Sequence, residues 1–363
     1  MQITFRVDAS LQIGTGHVMR CLTLADALVA KGAHCEFICR EHSGHLIEHI
    51  RSKGYTVHSL ALHSETDTDL THSAWLGATQ AQDVQACAHI LAHLQPDWLV
   101  VDHYALDARW EGALAEHCSQ VMVIDDLADR PHSCQLLLDQ TFGRAADDYR
   151  PLVPGDCTLL CGSHYALLRP EFAALRPYSL QRRTQPQLHQ LLITMGGVDK
   201  DNATGQVLAA LRDCALPADC EITVVMGATA PWRAEVERQA QDMSWPTRVL
   251  VGISNMAQLM ADSDLAIGAA GATSWERCCL GLPTAMMVLA DNQRHAAALL
   301  EEAEAARILQ LDENLPTQLA CLIDEVALSE RLLHRLSEGA SVITDGEGAR
   351  RIADHLMTER LND

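Results

Sequence analysis

Hydrophobic and polar positions alternate from the first residues of the chain. Ile3, Phe5, Val7 and Ala9 fall on one face and Thr4, Arg6 and Asp8 on the other, the period of a β-strand. A glycine-containing turn follows. Val18, Cys21, Leu22, Ala25 and Leu28 then recur at helical spacing, and Lys31-Gly32 closes that helix with a cation and a C-terminal glycine. A strand at 35–39, a helix near 44–53 and a strand at 56–60 continue the series. This β-α-β-α-β order predicts a parallel sheet with right-handed crossovers. Further strands are expected at 98–101, 121–124, 136–138 and 158–161.

Residues 169–190 break the pattern. Pro170, Pro177 and Pro186 punctuate them, with polar Gln181-Arg182-Arg183-Thr184-Gln185 between, and the stretch reads as a domain connection. A second β/α series then begins. Its strands are expected at 191–194, 222–226, 248–251, 265–267 and 285–289, with helices between them and helices filling the remainder. A single core rarely grows past about 250 to 300 residues, so 363 residues fit two domains. The expected fold class is α/β, with two Rossmann-like doubly wound domains facing a cleft. The first spans 1–168, a linker spans 169–189, and the second spans 190–363 with terminal helices.

Composition narrows the functions such a fold can carry. The formal charge of −21 repels phosphodiester backbones and anionic membranes, so no nucleic-acid or membrane partner is expected. A single small anion can still bind, because helix N-termini attract it without net basic charge. Aromatic residues make up only 4%, which argues against a stacking surface for nucleic acid or polysaccharide. No run of about 18 apolar residues offers a membrane span. The thirteen cysteines are scattered with no pair of CxxC elements, and no leader pattern precedes the first strand. They read as reduced core thiols of a cytoplasmic protein. His42, His45 and His49 occupy a polar loop-to-helix stretch and read as surface residues rather than metal ligands. Neither a metal nor a cofactor is expected.

Candidate chemistry gathers at strand-to-helix turns. Between the first strand and first helix runs Gly14-Thr15-Gly16-His17. Glycines there let the backbone turn tightly and approach a ligand, and the helix start favours negative charge. The dinucleotide pattern G-x-G-x-x-G fails, because Met19 stands where the third glycine belongs. His17 sits at the carboxyl end of the strand, where open α/β sheets bind ligands. The helix dipole disfavours a charged imidazolium, leaving a neutral ring fit to be a general base; the alternative is a histidine that merely hydrogen-bonds at a helix entry.

In the second half, Gly268-Ala269-Ala270-Gly271-Ala272-Thr273-Ser274-Trp275-Glu276 also joins a strand to a helix. Gly271 allows close approach, and Thr273 and Ser274 offer hydroxyls beside free amides, which suits a diphosphate. Glu276 lies one turn in, where a carboxylate accepts two ribose hydroxyls or simply complements the dipole. Asn292 and Gln293 follow a later strand and carry amides able to read sugar hydroxyls, unless Asp291 only caps the next helix. Gly197, in Met195-Gly196-Gly197, either holds phosphate or turns the chain. A ligand with a nucleotide at one end and a reacting sugar at the other accounts for both halves.

These pieces, in order, resemble a known family. Arg6-Val7-Asp8-Ala9-Ser10, Ile13 to Leu22, Asp102-His103-Tyr104, Ile124 to Arg130, Tyr165-Ala166-Leu167-Leu168-Arg169, Met195 to Asp199 and 268–281 carry the likeness. Met256-Ala257-Gln258-Leu259-Met260 and Asp264 to Ile267 resemble the GT-B fold of the peptidoglycan N-acetylglucosaminyltransferases. The chain is more similar still to the UDP-2,4-diacetamido-2,4,6-trideoxy-β-L-altropyranose hydrolases of pseudaminic acid synthesis. The resemblance implies a UDP-sugar as ligand. It implies metal-independent hydrolysis that inverts C1 and releases UDP, with His17 as the base. It further implies a sugar-side tyrosine at Tyr104, a sugar contact at Asn292 and uracil against the backbone around Met256. Ala272 departs from the serine expected there, which weakens one phosphate contact, and Asp125-Asp126 read as structural. Rival readings are a GT-B glycosyltransferase, a UDP-sugar 2-epimerase and a non-catalytic nucleotide-sugar sensor. Oligomeric state is left open.

Overall fold

The computed structural model describes residues 1–228, 230–329 and 331–359, apart from the side chains of residues 292 and 359. The two β/α series fold into two compact units. One holds Met1–Leu167 together with the segment from Glu347; the other is Leu168–Gly346. The first unit contains β1 (Gln2–Val7), α1 (Gly16–Val29), β2 (His34–Arg40), α2 (Ile47–Ser52), β3 (Thr56–Leu60), α3 (Gln80–Leu94) and β4 (Trp98–Asp102). It continues through α4 (Ala108–Leu114), β5 (Gln120–Ile124), β6 (Leu136–Asp139), α5 (Ala146–Tyr149) and β7 (Thr158–Cys161). Its seven strands are all parallel, in the order β3-β2-β1-β4-β5-β6-β7.

The second unit opens with α6 (Pro170–Arg182), β8 (Gln190–Thr194), α7 (Ala203–Leu211), β9 (Glu221–Met226), α8 (Arg233–Gln241) and β10 (Thr247–Val251). There follow α9 (Met256–Asp262), β11 (Leu265–Ala269), α10 (Thr273–Cys279), β12 (Thr284–Met287), α11 (Arg294–Glu302), β13 (Arg307–Leu309), α12 (Leu315–Leu328) and α13 (Arg331–Ser341). Six parallel strands run in the order β10-β9-β8-β11-β12-β13. In each sheet the strand order reverses beside the first strand of its unit, between β1 and β4 and between β8 and β11. Open α/β sheets bind ligands at the carboxyl ends of the strands at that crossing point.

The alternation in β1 does not divide core from solvent. As the central strand of a doubly wound sheet it is covered on both faces. Ile3, Phe5 and Val7 pack with Val18, Leu24 and Leu28 of α1, while Arg6 and Asp8 are buried on the other face. There Arg6 pairs with Asp8 at 2.8 Å and with Asp83 at 2.7 Å, and Arg40 reaches Asp83 at 2.6 Å. Trp110 Nε1 donates to the same carboxylate at 3.0 Å. Burial opposes the charge on Asp83, but Arg6 and Arg40 outweigh it and hold the carboxyl at about 2.

Three sequence expectations change. The stretch read as a linker carries α6, with Pro170 at its N-terminal position, where a missing N–H costs nothing. Arg176 Nη2 donates to Ser341 O at 2.6 Å, and Arg183 donates to Leu280 O, Ser263 O and Met260 O at 2.8–3.1 Å. These arginines satisfy carbonyls at the ends of α9, α10 and α13, which binds α6 into the second unit. The last helix, α14 (Gly348–Glu359), belongs to the first unit. Its Ile352, Ala353 and Leu356 join the core beneath α1, and Lys31 pairs with Asp354 at 2.5 Å. His42 is not a surface residue: its side chain is nearly buried, with Nε2 3.6 Å from Asp8. Among the described residues no disulfide joins any of the thirteen cysteines, and all but Cys118, Cys157, Cys161 and Cys321 are buried. No helix among the described residues is long and apolar enough to cross a membrane.

The buried charge cluster yields a stability test. Asp83→Asn keeps the volume and removes the charge that Arg6 and Arg40 share. Unfolding in urea at pH 7 should show a loss of about 3 to 5 kcal/mol, the usual cost of leaving a buried ion unpaired. A carboxyl held at about 2 in the folded protein contributes stability above its ordinary pKa and loses it as pH falls toward 2. The gap between variant and wild type should therefore narrow below pH ~4. A loss under about 1 kcal/mol at pH 7 would mean that the cluster is not electrostatically coupled.

Candidate active site

The turn after β1 is built by its own side chains. Ser10 Oγ accepts the amides of Gln12 and Ile13 at 3.1 and 2.9 Å, and Gly14 N donates to Ser10 O at 2.9 Å. Gly14 has φ +80°, a conformation that glycine adopts without strain. Gly16 opens α1 with nothing within 4 Å of where a Cβ would stand, so packing does not require glycine there. His17 follows in the first turn.

Asp102, at the end of β4, is fully buried and meets His17 directly. His17 Nδ1 lies 2.6 Å from Asp102 Oδ1. Arg20, one turn further along α1, grips the same carboxylate with Nε at 2.6 Å from Oδ2 and Nη2 at 2.7 Å from Oδ1. Burial disfavours the Asp102 charge, yet Arg20 and His17 outweigh it and hold the carboxyl far below its usual range. An ionised carboxylate only accepts, so His17 Nδ1 carries the hydrogen, and in the neutral ring Nε2 is then the acceptor. The sequence argument rested on the helix dipole; the nearer influence on the ring is this carboxylate, which fixes its tautomer and orientation.

Tyr104 stands two residues beyond Asp102. Its ring meets that of His17 edge-on, with centroids 4.6 Å apart and planes at 83°. Its hydroxyl donates to Asp126 Oδ2 at 2.9 Å, and Arg20 Nη1 lies 2.5 Å from the same oxygen. Burial, with Asp126 beside it, pushes the phenol well above its ordinary pKa, so it stays protonated. Asp126 thus ties Tyr104 to Arg20. Asp125 accepts Leu127 N, Ala128 N and Tyr149 OH and pairs with Arg130, which gives it a structural setting. Asp8, Ile13, Trp75 and His103 complete a small pocket with His17, Asp102 and Tyr104.

In the second unit, the turn after β11 holds Gly271, Thr273 and Ser274. Arg277, a turn on in α10, folds back beneath them. It donates to Ala269 O at 2.7 Å, to Ser274 Oγ at 3.2 Å and to Thr273 Oγ1 at 3.2 Å. Because the guanidinium supplies those bonds, each hydroxyl keeps its own hydrogen to donate. Gly268 makes room: a Cβ there would stand 2.6 Å from Arg277 Nη1 and 3.0 Å from Thr194 O. Arg277 is buried without a carboxylate ion pair among the described residues, and burial pulls its pKa down to about 10. A buried cation without an ion pair is costly, and here its cost is offset only by bonds to one carbonyl and two hydroxyls.

Gln293 accepts Leu289 N at 3.0 Å through Oε1, and its Nε2 reaches within 4.0 Å of a Cβ placed on Gly271. The structure therefore brings together Gly271, Thr273, Ser274 and Gln293. Glu276 is half-buried on the same helix; burial raises its pKa to about 7, against the pull of Arg169 and Arg277. Gly197 is exposed in the turn after β8, the neighbour of β11. Met256 starts α9, beyond β10 at the sheet edge. The side chain of Asn292 lies outside the described residues. Sequence reasoning missed Asp102, Arg20 and Arg277 as site residues. Arg20 and Arg277 stood three residues from His17 and Ser274, a spacing that shares a helix face.

Comparison with known proteins agrees with the motifs. Residues 190–356 match the glycosyltransferase family 28 C-terminal domain. The chain is 25% identical over 300 residues to the UDP-2,4-diacetamido-2,4,6-trideoxy-β-L-altropyranose hydrolase of Campylobacter jejuni, covering 83% of this chain and 96% of that one. Among solved structures, MurG of Acinetobacter baumannii superposes with a TM-score of 0.72 at 15% identity, over 98% of this chain and 99% of that one. The UDP-GlcNAc 2-epimerase of Neisseria meningitidis gives 0.60 at 12% identity, over 99% and 100%. The fold is GT-B, with two Rossmann-like units.

Glu276 links this site to stability. A carboxyl raised from its ordinary value to about 7 favours the folded state when protonated, and that stability is lost as pH rises toward and through 7. Glu276→Gln keeps the neutral form at every pH. Its melting temperature should exceed that of wild type at pH 8, and the gap should shrink at pH 5. Equal gaps at the two pH values would show that the carboxyl is solvated and not held by the turn.

Proposed function

We propose that the chain hydrolyses a UDP-sugar at its anomeric carbon, with UDP-2,4-diacetamido-2,4,6-trideoxy-β-L-altropyranose as the substrate class. The observation that carries the reading is the His17–Asp102 pair at 2.6 Å, whose aspartate is clamped by Arg20. Similarity over most of the chain to a protein named as that hydrolase supports the choice of substrate.

In the proposed mechanism His17 Nε2 takes a proton from water as the water oxygen bonds to C1. The C1–O bond to the diphosphate breaks, and its electron pair leaves on UDP. Attack from the face opposite UDP inverts C1. Asp102 stabilises the imidazolium that forms and holds the ring in the productive tautomer. Gly271, Thr273 and Ser274 are proposed to offer amides and hydroxyls to the diphosphate, with Arg277 buried behind them. A fixed guanidinium and preorganised donors can stabilise a departing diphosphate without a metal ion. Glu276 is proposed to accept the ribose hydroxyls, Asn292 and Gln293 to contact the sugar, Met256 and Gly197 to line the nucleotide, and Tyr104 with Gly14 and Gly16 to flank the reacting centre.

Product analysis tests the reading. Incubation with the UDP-sugar should release UDP and one free sugar, seen by NMR, without any acceptor and unaffected by a chelator. A different hexosamine beside UDP would indicate an epimerase, and dependence on an added acceptor a transferase. His17→Asn should retain UDP affinity while turnover falls at least about 100-fold, the usual scale for a positioned general base. Restoration of chelator-lost activity by magnesium or manganese would overturn the metal-free mechanism, and near-normal turnover of His17→Asn would remove the base.

A further inference from the structure

Residues 61–79 connect β3 to α3 with a single 3₁₀ turn, Ser73–Leu76, near their end. A connection this long in a compact unit is uncommon and is usually functional. Residues 61–66 are exposed; from Asp67 onward the segment is anchored. Leu76 and Ala78 are buried, Arg109 pairs with Asp69 at 2.6 Å, and Gln80 N donates to Asp67 at 2.7 Å. Thr79 and Gln82 form a reciprocal cap on α3. A segment held so firmly at one end fixes whatever side chain it presents.

The side chains it presents are His72 and Trp75, which close over the end of β4. Trp75 lies nearly parallel to Tyr104, with centroids 5.9 Å apart and planes at 26°, and His72 packs against both at 4.4 and 5.5 Å. Tyr104 in turn abuts His17, and Trp75, Tyr104, Ile13 and His17 line one pocket. The hydroxyl of Tyr104 is turned away to Asp126. What Tyr104 offers here is its ring, beside Trp75 and the aliphatic chain of Ile13.

We propose that Trp75, with Tyr104 and Ile13, forms an apolar wall that reads the C6 methyl or the 4-acetamido methyl of the sugar. The inference rests on the hydrolase reading and adds a specificity element to it. A ring bearing only hydroxyls would lose hydrogen bonds to water against this wall, whereas a deoxy carbon or an acetamido methyl loses none. Apolar pockets discriminate on such groups by roughly 10- to 200-fold.

The test compares kcat/KM for pairs of UDP-sugars that differ in one group: 6-deoxy against 6-hydroxyl, and 4-acetamido against 4-hydroxyl. Trp75→Ala should reduce at least one of these preferences by about tenfold or more, with UDP inhibition unchanged, and the pair that responds identifies the methyl. Trp75→Phe should keep most of the preference. If Trp75→Ala does not fold, Trp75→Gln retains bulk while placing an amide on the wall, and it must show the same collapse. Hydrolysis by wild type with both preferences intact in the variant would overturn the wall. Absence of UDP-sugar hydrolysis by wild type is a distinct result, which would overturn the hydrolase reading and the wall together.

Discussion

One buried carboxylate, Asp102, organises the start of α1 and the end of β4. Asp102 has no access to water, so its charge must be met by protein groups. Arg20 meets it twice and His17 once. Both partners come from the first two turns of α1, so pinning Asp102 also pins the start of that helix against the end of β4. The imidazole is held in one tautomer as a result, and Arg20 extends the constraint through Asp126 to Tyr104. Position, protonation pattern and rigidity of the candidate base therefore come from one ion cluster rather than from the glycine turn before it.

The second unit solves a related problem with the opposite sign. Arg277 is a buried cation whose bonds go to a carbonyl and two hydroxyls. Asp102 and Arg277 both stand beside the point where the strand order of their sheet reverses, near the turn that follows a central strand. In the proposed reaction the carboxylate would support a base and the guanidinium would meet an anion. The same sheet topology thus serves two electrostatic roles.

The parallel sheets were legible because apolar runs and glycine turns alternate at short range. Twelve of the strands follow that signal; β13 has three residues, too few to show a period. Residues 169–189 read as a connection because proline breaks helices, whereas Pro170 stands where a helix favours it and Arg176 and Arg183 find carbonyls far along the chain. The return of α14 to the first unit is a packing choice among apolar stripes, invisible in the stripe itself. In the site, His17 was readable from its place after a strand and glycines. Asp102 opens the Asp102-His103-Tyr104 motif, but its partner lies 85 residues away and the β1–β4 pairing brings the two together. Trp75 lies in a connection without periodicity, so no local pattern marked it.

The central claim is that water, activated by His17, attacks carbon. Turnover of the UDP-sugar in water enriched in heavy oxygen, followed by mass spectrometry of both products, tests it most directly. The account predicts the label on the free sugar and none on UDP. Label on the UDP phosphate would place the attack at phosphorus and contradict the account, whatever the fate of the His17 variant.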